Sequence, residues 1–335
     1  MKAARFVGPE KIELVELPDP TPGEGEVLVR VVYSGVCGSD RRLWEEGQKG
    51  DEVQGHEPAG VVEAVGPGVR RVKPGDEVAV HNVVGCGQCD YCASGSYVYC
   101  ANKRGAVNGG YGELLVAPER NLVPLPRWFG LDRGCLLVDL LGTPFRAVKR
   151  AGVAEGQTVV VFGAGPVGAM TVQCAAARGA RVISVEPIAY RREVALAQGA
   201  ETALDPEQGD VAQAVRELTR GGADVALECS GNPQAELAAL RCVRPEGRVV
   251  FVGENHEPLP LVPSRDFIRR GTQVLGSWYS HLGDVPEMIR LVERGKLDPL
   301  RLVTHRVEIE DIAQGFAAFF SRAEGCVKVI VHFPH

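Results

Sequence analysis

The sequence predicts an α/β protein in two parts, a β-rich first third followed by a doubly wound parallel sheet. Two observations carry this. Residues 1–125 hold short apolar runs such as Val27-Leu28-Val29 and Gly60-Val61-Val62, broken by Pro22-Gly23, Gly66-Pro67-Gly68 and Pro74-Gly75-Asp76. That is the texture of strands joined by tight turns. From about residue 155 to 275, strand-like and helix-like runs alternate, as a parallel sheet with crossover helices requires. The length of 335 residues leaves room for both parts.

In the second part the expected strands are 158–162, 181–186, 224–229, 248–253 and 273–276, each built on Val, Ile, Leu or Phe. The intervening segments 167–178, 190–198, 211–219 and 234–243 read as helices. Past residue 280 come helices at 285–294 and about 309–320, then a closing strand at 327–333. No internal repeat is visible.

Composition narrows the function classes. The chain is 45% hydrophobic and 24% charged, ordinary for a globular enzyme, and its 41 glycines and 22 prolines fall short of low complexity. A formal charge of −6 leaves no basic footprint for nucleic acid. The start Met1-Lys2-Ala3-Ala4-Arg5 is followed by Glu10, Glu13 and Glu16 instead of an apolar core, unlike an export signal. Residues 158–177 lack formal charge over the length of a membrane span, yet Gly163, Gly165, Pro166 and Gly168 interrupt them. A cytoplasmic protein without membrane or nucleic-acid partners is expected. Its ten cysteines are then free thiols or metal ligands by default, with Cys174, Cys229, Cys242 and Cys326 in apolar, core-like surroundings.

Val159-Val160-Val161-Phe162 runs straight into Gly163-Ala164-Gly165-Pro166-Val167-Gly168 and a helix. Between a strand and a helix, this glycine pattern is a dinucleotide fingerprint: tight turn, close approach to pyrophosphate, and helix packed on strand. The helix that starts at Pro166, which itself has no N–H, offers the free N–H groups of Val167 and the residues after it to phosphate. Glu186 ends the next strand, twenty-one residues after Gly165. A carboxylate there accepts hydrogen bonds from ribose hydroxyls and repels a 2′-phosphate, which favours NAD over NADP. Arg191 and Arg192 are the counter-argument, since a nearby arginine accommodates that phosphate.

Cys86, Cys89, Cys92 and Cys100 give the spacing C-x2-C-x2-C-x7-C. Four thiolates this close can close a tetrahedral shell around a structural zinc, with no position left for substrate. An iron–sulfur cluster also accepts short cysteine spacings, but no Cys-Pro run follows.

Three further features complete the pattern: Val36-Cys37-Gly38-Ser39-Asp40, Gly55-His56-Glu57 and Leu137-Val138-Asp139. Together with the glycine turn, the four-cysteine lobe, Gly75-Asp76-Glu77-Val78 and Gly109-Gly110-Tyr111-Gly112-Glu113, the chain resembles the zinc-dependent medium-chain dehydrogenases, the alcohol, sorbitol and threonine dehydrogenase group, over essentially its whole length. The resemblance implies a GroES-like catalytic domain from residues 1–130 and 281–335, with the structural-zinc lobe at 85–100, and a Rossmann domain at 131–280. It implies Cys37 and His56 as catalytic zinc ligands, with Glu57 as ligand or neighbour. Asp139 falls where the family places cysteine or glutamate, either as third ligand or beside the metal. Three ligands leave one zinc position for the substrate hydroxyl. Ser39 matches the hydroxyl that carries its proton away.

By position the resemblance also sets Cys229, Ser230, Val252, Gly253 and Ser277 beside the cofactor. It implies a homodimer or homotetramer, joined through the sheet edge near 273–280. Substrate-contact candidates are Trp44, Tyr111, Arg146, Trp278 and Tyr279. The polar segment 41–54 suggests a hydroxyl-rich secondary alcohol or its ketone: a polyol, sugar, cyclitol or amino-sugar alcohol. L-threonine or a simple alcohol is the alternative within the family. A zinc-independent quinone reductase and a non-catalytic NAD-binding sensor on the same scaffold are the readings from other classes.

Overall fold

The computed structural model describes residues 1–323 and 325–334, and the chain forms two compact units. One comprises Met1–Asp139, His281–Ile289 and Pro299–His335; the other comprises Leu140–Ser280 and Arg290–Asp298. The first boundary falls at 139 and not at 130, because the helix Leu131–Leu136 packs on the strands of the first unit. Residues 290–298 join the second unit. Their end is tied there by Gln173, whose side chain accepts from Asp298 N at 2.6 Å and donates to Asp298 O at 3.2 Å. Among the described residues no helix is long and apolar enough to cross a membrane.

The first unit opens with a hairpin of β1 (Lys2–Gly8) and β2 (Lys11–Glu16), followed by β3 (Glu26–Gly35), β4 (Pro58–Val65), β5 (Glu77–Val80), β6 (Leu114–Pro118) and β7 (Leu122–Pro124). Strict alternation builds β3: Val27, Val29 and Val31 are fully buried, while the residues between them are not. Its antiparallel pairing with β4 sets Ser34 opposite Pro58. The loop leaving β3 and the residues entering β4 are therefore neighbours, and these are Cys37 and His56-Glu57.

The second unit is a parallel sheet of β8 (Thr158–Phe162), β9 (Arg181–Val185), β10 (Thr202–Leu204), β11 (Ala223–Glu228), β12 (Val243–Phe251) and β13 (Gln273–Gly276). Its order is β10-β9-β8-β11-β12-β13, with helices Pro166–Ala176, Ala189–Ala197, Val211–Thr219 and Pro233–Cys242 between strands. The expected strands and helices of this region all form, with ends displaced by at most two residues except at β12, which begins five residues earlier than expected. The short strand β10 was not expected, since three residues carry too little pattern. Strand order reverses between β8 and β11, and ligands of such sheets bind outside the strand ends at that switch point.

The chain then returns to the first unit. There β14 (Val303–Glu308) and β15 (Lys328–His332) complete a sheet ordered β14-β15-β3-β4-β5-β7, with β6 also on β3. Strand β15 runs antiparallel to β3, pairing Ile330 with Gly35, and Val36 N donates to Val329 O. This register carries Lys328 to the start of the Cys37 loop.

Candidate active site

Cys37 opens a single 3-10 turn, Gly38–Asp40, just beyond β3. The turn is tied at both ends: Asp40 N donates to Cys37 O at 3.1 Å, and Cys37 N donates to Asp40 Oδ2 at 3.0 Å. Asp139 sits in a one-turn π-helical stretch, Leu137–Leu141, between two α-helices. Such bulges are rare and recur at functional sites.

Cys37, His56, Glu57 and Asp139 each offer one ligand atom, and these atoms lie within 4.8 Å of one another. His56 Nε2 lies 3.3 Å from Asp139 Oδ2. Two ligands of a tetrahedral zinc at the usual Zn–N and Zn–O lengths are separated by roughly that distance. A thiol, an imidazole and carboxylates are also zinc's own ligand types. The donor set fits the metal. Ser39 Oγ stands 3.3 Å from the same Nε2, so a hydroxyl adjoins the ligand side of the ring.

The sequence alone left Asp40 and Lys328 without a role in this site and gave Tyr111 a different one. Asp40 is buried and its Oδ1 lies 3.4 Å from His56 Nδ1. A carboxylate behind a metal-ligating histidine fixes its tautomer and orientation. Tyr111 donates from its hydroxyl to Asp40 Oδ2 at 2.6 Å. Burial pushes the Asp40 carboxyl up, but His56 and Tyr111 more than offset this and hold it below the usual range. Lys328 is the third: its buried Nζ lies 2.8 and 2.7 Å from the two oxygens of Glu57 and donates to Val36 O at 2.7 Å. Replacing Asp40 with asparagine is expected to weaken metal binding at the Cys37–His56 site by about 10–100-fold. Competition with a zinc chelator measures it.

The four-cysteine lobe lies between β5 and β6. Its ligand sulfurs also fall within 4.8 Å of one another, with Cys86–Cys92 at 3.9 Å and Cys89–Cys92 at 3.6 Å. A tetrahedral site with Zn–S near 2.3 Å needs sulfurs about 3.8 Å apart. Backbone N–H groups of Gln88 and Cys89 hold the Cys86 thiol down to about 6, whereas burial pushes Cys92 up to about 11. The lobe is anchored by Asn121, whose amide donates to His81 O and Val83 O at 2.6 and 2.8 Å.

In the second unit the glycine turn joins β8 to the helix Pro166–Ala176. Gly163 has φ +82°, and a Cβ on Gly168 would lie 1.8 Å from Gly163 O. Neither position admits another residue. A Cβ on Gly165 would meet nothing nearer than Arg191 Nη1 at 3.9 Å, which leaves space over the second glycine. Cys229 and Ser230, just past β11, pack against Gly168 and Gly163. Val252 and Gly253 donate their N–H groups to Glu228 O, and Ser277 N donates to Phe251 O. The strand-end residues expected near a nucleotide thus follow β11, β12 and β13 on one side of the switch point, with the glycine turn after β8 on the other. Glu186 is buried and accepts from Ala164 N at 2.6 Å and Ile188 N at 3.0 Å. Arg192 is held by Asp205 at 3.1 Å and by the carbonyls of Glu186 and Pro187.

Comparison with known proteins follows the same division. Residues 23–127 match the alcohol dehydrogenase GroES-like domain, and residues 166–294 match the zinc-binding dehydrogenase family. L-threonine 3-dehydrogenase of Pyrococcus abyssi is 35% identical over 88% of this chain and 87% of its own. Sorbitol dehydrogenase of Halalkalibacterium halodurans is 31% identical over 94% of each. The chain belongs to the zinc-dependent medium-chain dehydrogenases. The structure of galactitol-1-phosphate dehydrogenase from Escherichia coli superposes on this dehydrogenase with a TM-score of 0.90 at 27% identity, covering 99% of this chain and 100% of the other. Zinc and a nicotinamide dinucleotide are the cofactors of such a dehydrogenase.

Two of the dehydrogenase's expected substrate contacts are corrected by burial. Trp44 is 5% exposed and packs on Phe316, with ring centroids 5.8 Å apart. Tyr111 is fully buried beneath Asp40. Both are core aromatics of the first unit. Much of the polarity of residues 41–54 is spent locally: Arg41 pairs with Glu45 at 2.8 Å, and Gln48 donates to the carbonyls of Gly50 and Glu52. Arg146 is half-buried on the helix Gly142–Arg150, and Trp278 is 49% exposed.

Proposed function

We propose that this dehydrogenase oxidises a hydroxyl-rich secondary alcohol (a polyol, sugar, cyclitol or amino-sugar alcohol) with NAD⁺, and reduces the matching ketone in reverse. The observation that carries the reading is the convergence of Cys37, His56, Glu57 and Asp139, with Ser39 Oγ 3.3 Å from His56 Nε2. Bound here, zinc would supply a Lewis acid that makes a substrate hydroxyl acidic near neutral pH, and a bound nicotinamide dinucleotide would supply the hydride acceptor. The chain's own residues do the rest. Cys37, His56 and Asp139 would hold the metal, Asp40 and Tyr111 fix the imidazole, and Ser39 would take the proton from the hydroxyl. Glu57, paired with Lys328, adds a second carboxylate at the metal.

NAD rather than NADP is favoured by Glu186 and by the engagement of Arg192 with Asp205. Arg191, beside Gly165, is read as facing the pyrophosphate, with Pro166 and Val167 at the helix start. Arg146 and Trp278 are the remaining substrate-contact candidates. The likeness to sorbitol and galactitol-1-phosphate dehydrogenases supports the polyol class, and the likeness to threonine dehydrogenase supports a 3-hydroxy amino acid as second reading.

The deciding experiment is NAD⁺ reduction across polyols, cyclitols, amino sugars, 3-hydroxy amino acids and simple alcohols. The expected result is highest kcat/KM among the polyhydroxylated compounds. Preference for hexanol or benzyl alcohol over all of them overturns the substrate class. A cytoplasmic setting suits the zinc thiolates. A second copy is proposed to pair along β13, where Val274 is 37% exposed; Ile268, in the turn of helix that precedes the strand, is 74% exposed. Sedimentation at two or four chain masses is the check.

A further inference from the structure

The four-cysteine lobe carries a charge that its own residues leave unbalanced. Four thiolates around one divalent ion sum to −2, and such a group attracts any cation held near it. Arg120, which lies between β6 and β7, is placed to answer it. A Cβ on Gly87 would lie 3.7–3.8 Å from Arg120 Cδ, Nε and Nη1. Gly87 is inside the Cys86–Cys89 loop, and its own N–H is bonded to Cys92. One glycine thus separates the guanidinium from the sulfur cluster.

The arginine is unspent. Its Nε is buried and, among the described residues, has no hydrogen-bond acceptor. No carboxylate among the described residues pairs with it. Its backbone carbonyl accepts from the Tyr97 hydroxyl at 3.3 Å, and the Tyr97 ring lies against Gly85 at the lobe's entry. Arg120 also shares a cavity of 610 Å³ with Arg71, Cys92 and Gly95. A buried guanidinium nitrogen without a partner is costly unless a charge compensates it.

We propose that Arg120 is the counter-cation of the zinc–thiolate lobe: it balances the cluster's negative charge from beyond Gly87 and slows loss of the metal. The role is electrostatic and positional, acting through the thiolates and not on substrate. It rests on the reading of the lobe as a zinc site.

The test follows release of zinc from the loaded protein to a chromogenic chelator, with zinc per chain counted first. The Cys37→Ala variant identifies which release phase belongs to the lobe. In Arg120→Met the lobe phase is expected to be about tenfold faster, the range for groups that support metal ligands, while the other phase is unchanged. Arg120→Lys, which keeps the charge, is expected to stay within about threefold of the parent. An unchanged lobe phase in Arg120→Met overturns the proposal alone, and so does equal acceleration by Met and Lys, which marks packing and not charge. Absence of lobe zinc from the parent protein overturns the zinc reading, and the proposal with it.

Discussion

Replacement of Cys37 by alanine is expected to reduce turnover by at least about a thousandfold while leaving dinucleotide binding within about twofold of the parent. The loss corresponds to roughly 4 kcal/mol of transition-state stabilisation at 1.36 kcal/mol per decade, the scale of a missing Lewis acid. The separation of effects follows from the fold. Cys37 belongs to the unit of residues 1–139, whereas the Gly163–Gly168 turn and Glu186 belong to the unit of residues 140–280. Zinc per chain should fall from two to one, and titration with NADH should still saturate. A variant with both zincs and near-parental kcat would remove Cys37 from the site. Lost dinucleotide binding would show that the substitution damages folding beyond its own unit.

Lys328→Met is expected to be the most destabilising single change at the site, costing about 3–5 kcal/mol. Lys328 and Glu57 are both buried, 2.7–2.8 Å apart, and among the described residues Val36 O is the lysine's only other acceptor. Removing one partner of a buried pair leaves the other charge uncompensated, and that penalty exceeds the worth of the pair itself. The sign of the cycle is therefore specific. Glu57→Gln added to Lys328→Met should recover much of the loss, because the orphaned carboxylate disappears. Urea unfolding of the parent, both single variants and the double variant measures it. If Lys328→Met costs under about 1 kcal/mol, the metal already balances Glu57 and the lysine is dispensable to stability.

Asp40 shows where reading the sequence stopped. It lies inside Val36-Cys37-Gly38-Ser39-Asp40, a segment identified from Cys37 and Ser39, yet a lone aspartate after a turn is compatible with many roles. Only the fold sets its oxygen 3.4 Å from His56 Nδ1. A carboxylate three residues after a metal-ligating cysteine, with a distant histidine awaiting a second partner, is the signal that could have found it. Trp44 and Tyr111 failed for the opposite reason. Aromatic residues beside motif segments attract a binding interpretation, but large apolar rings are also what a core uses, and here Phe316 receives Trp44 while Asp40 receives the Tyr111 hydroxyl.

The sequence by itself determined what is local. Cys86 to Cys100 span fifteen residues, so their spacing alone confines four sulfurs to one small volume. Gly163 and Gly165 must form one turn, opening into the helix that carries Gly168, because a strand and a helix flank them directly. The alternating valines of β3 and the strand–helix alternation of 158–276 likewise act over a few residues, through the periods of two and 3.6. Tertiary structure decided everything that depends on register between distant strands. The pairing of β3 with β4 joins Cys37 to His56, and the pairing of β15 with β3 delivers Lys328 to Glu57, 271 residues away in sequence. A charge can be buried only where its partner already waits, and no stretch of sequence holds both.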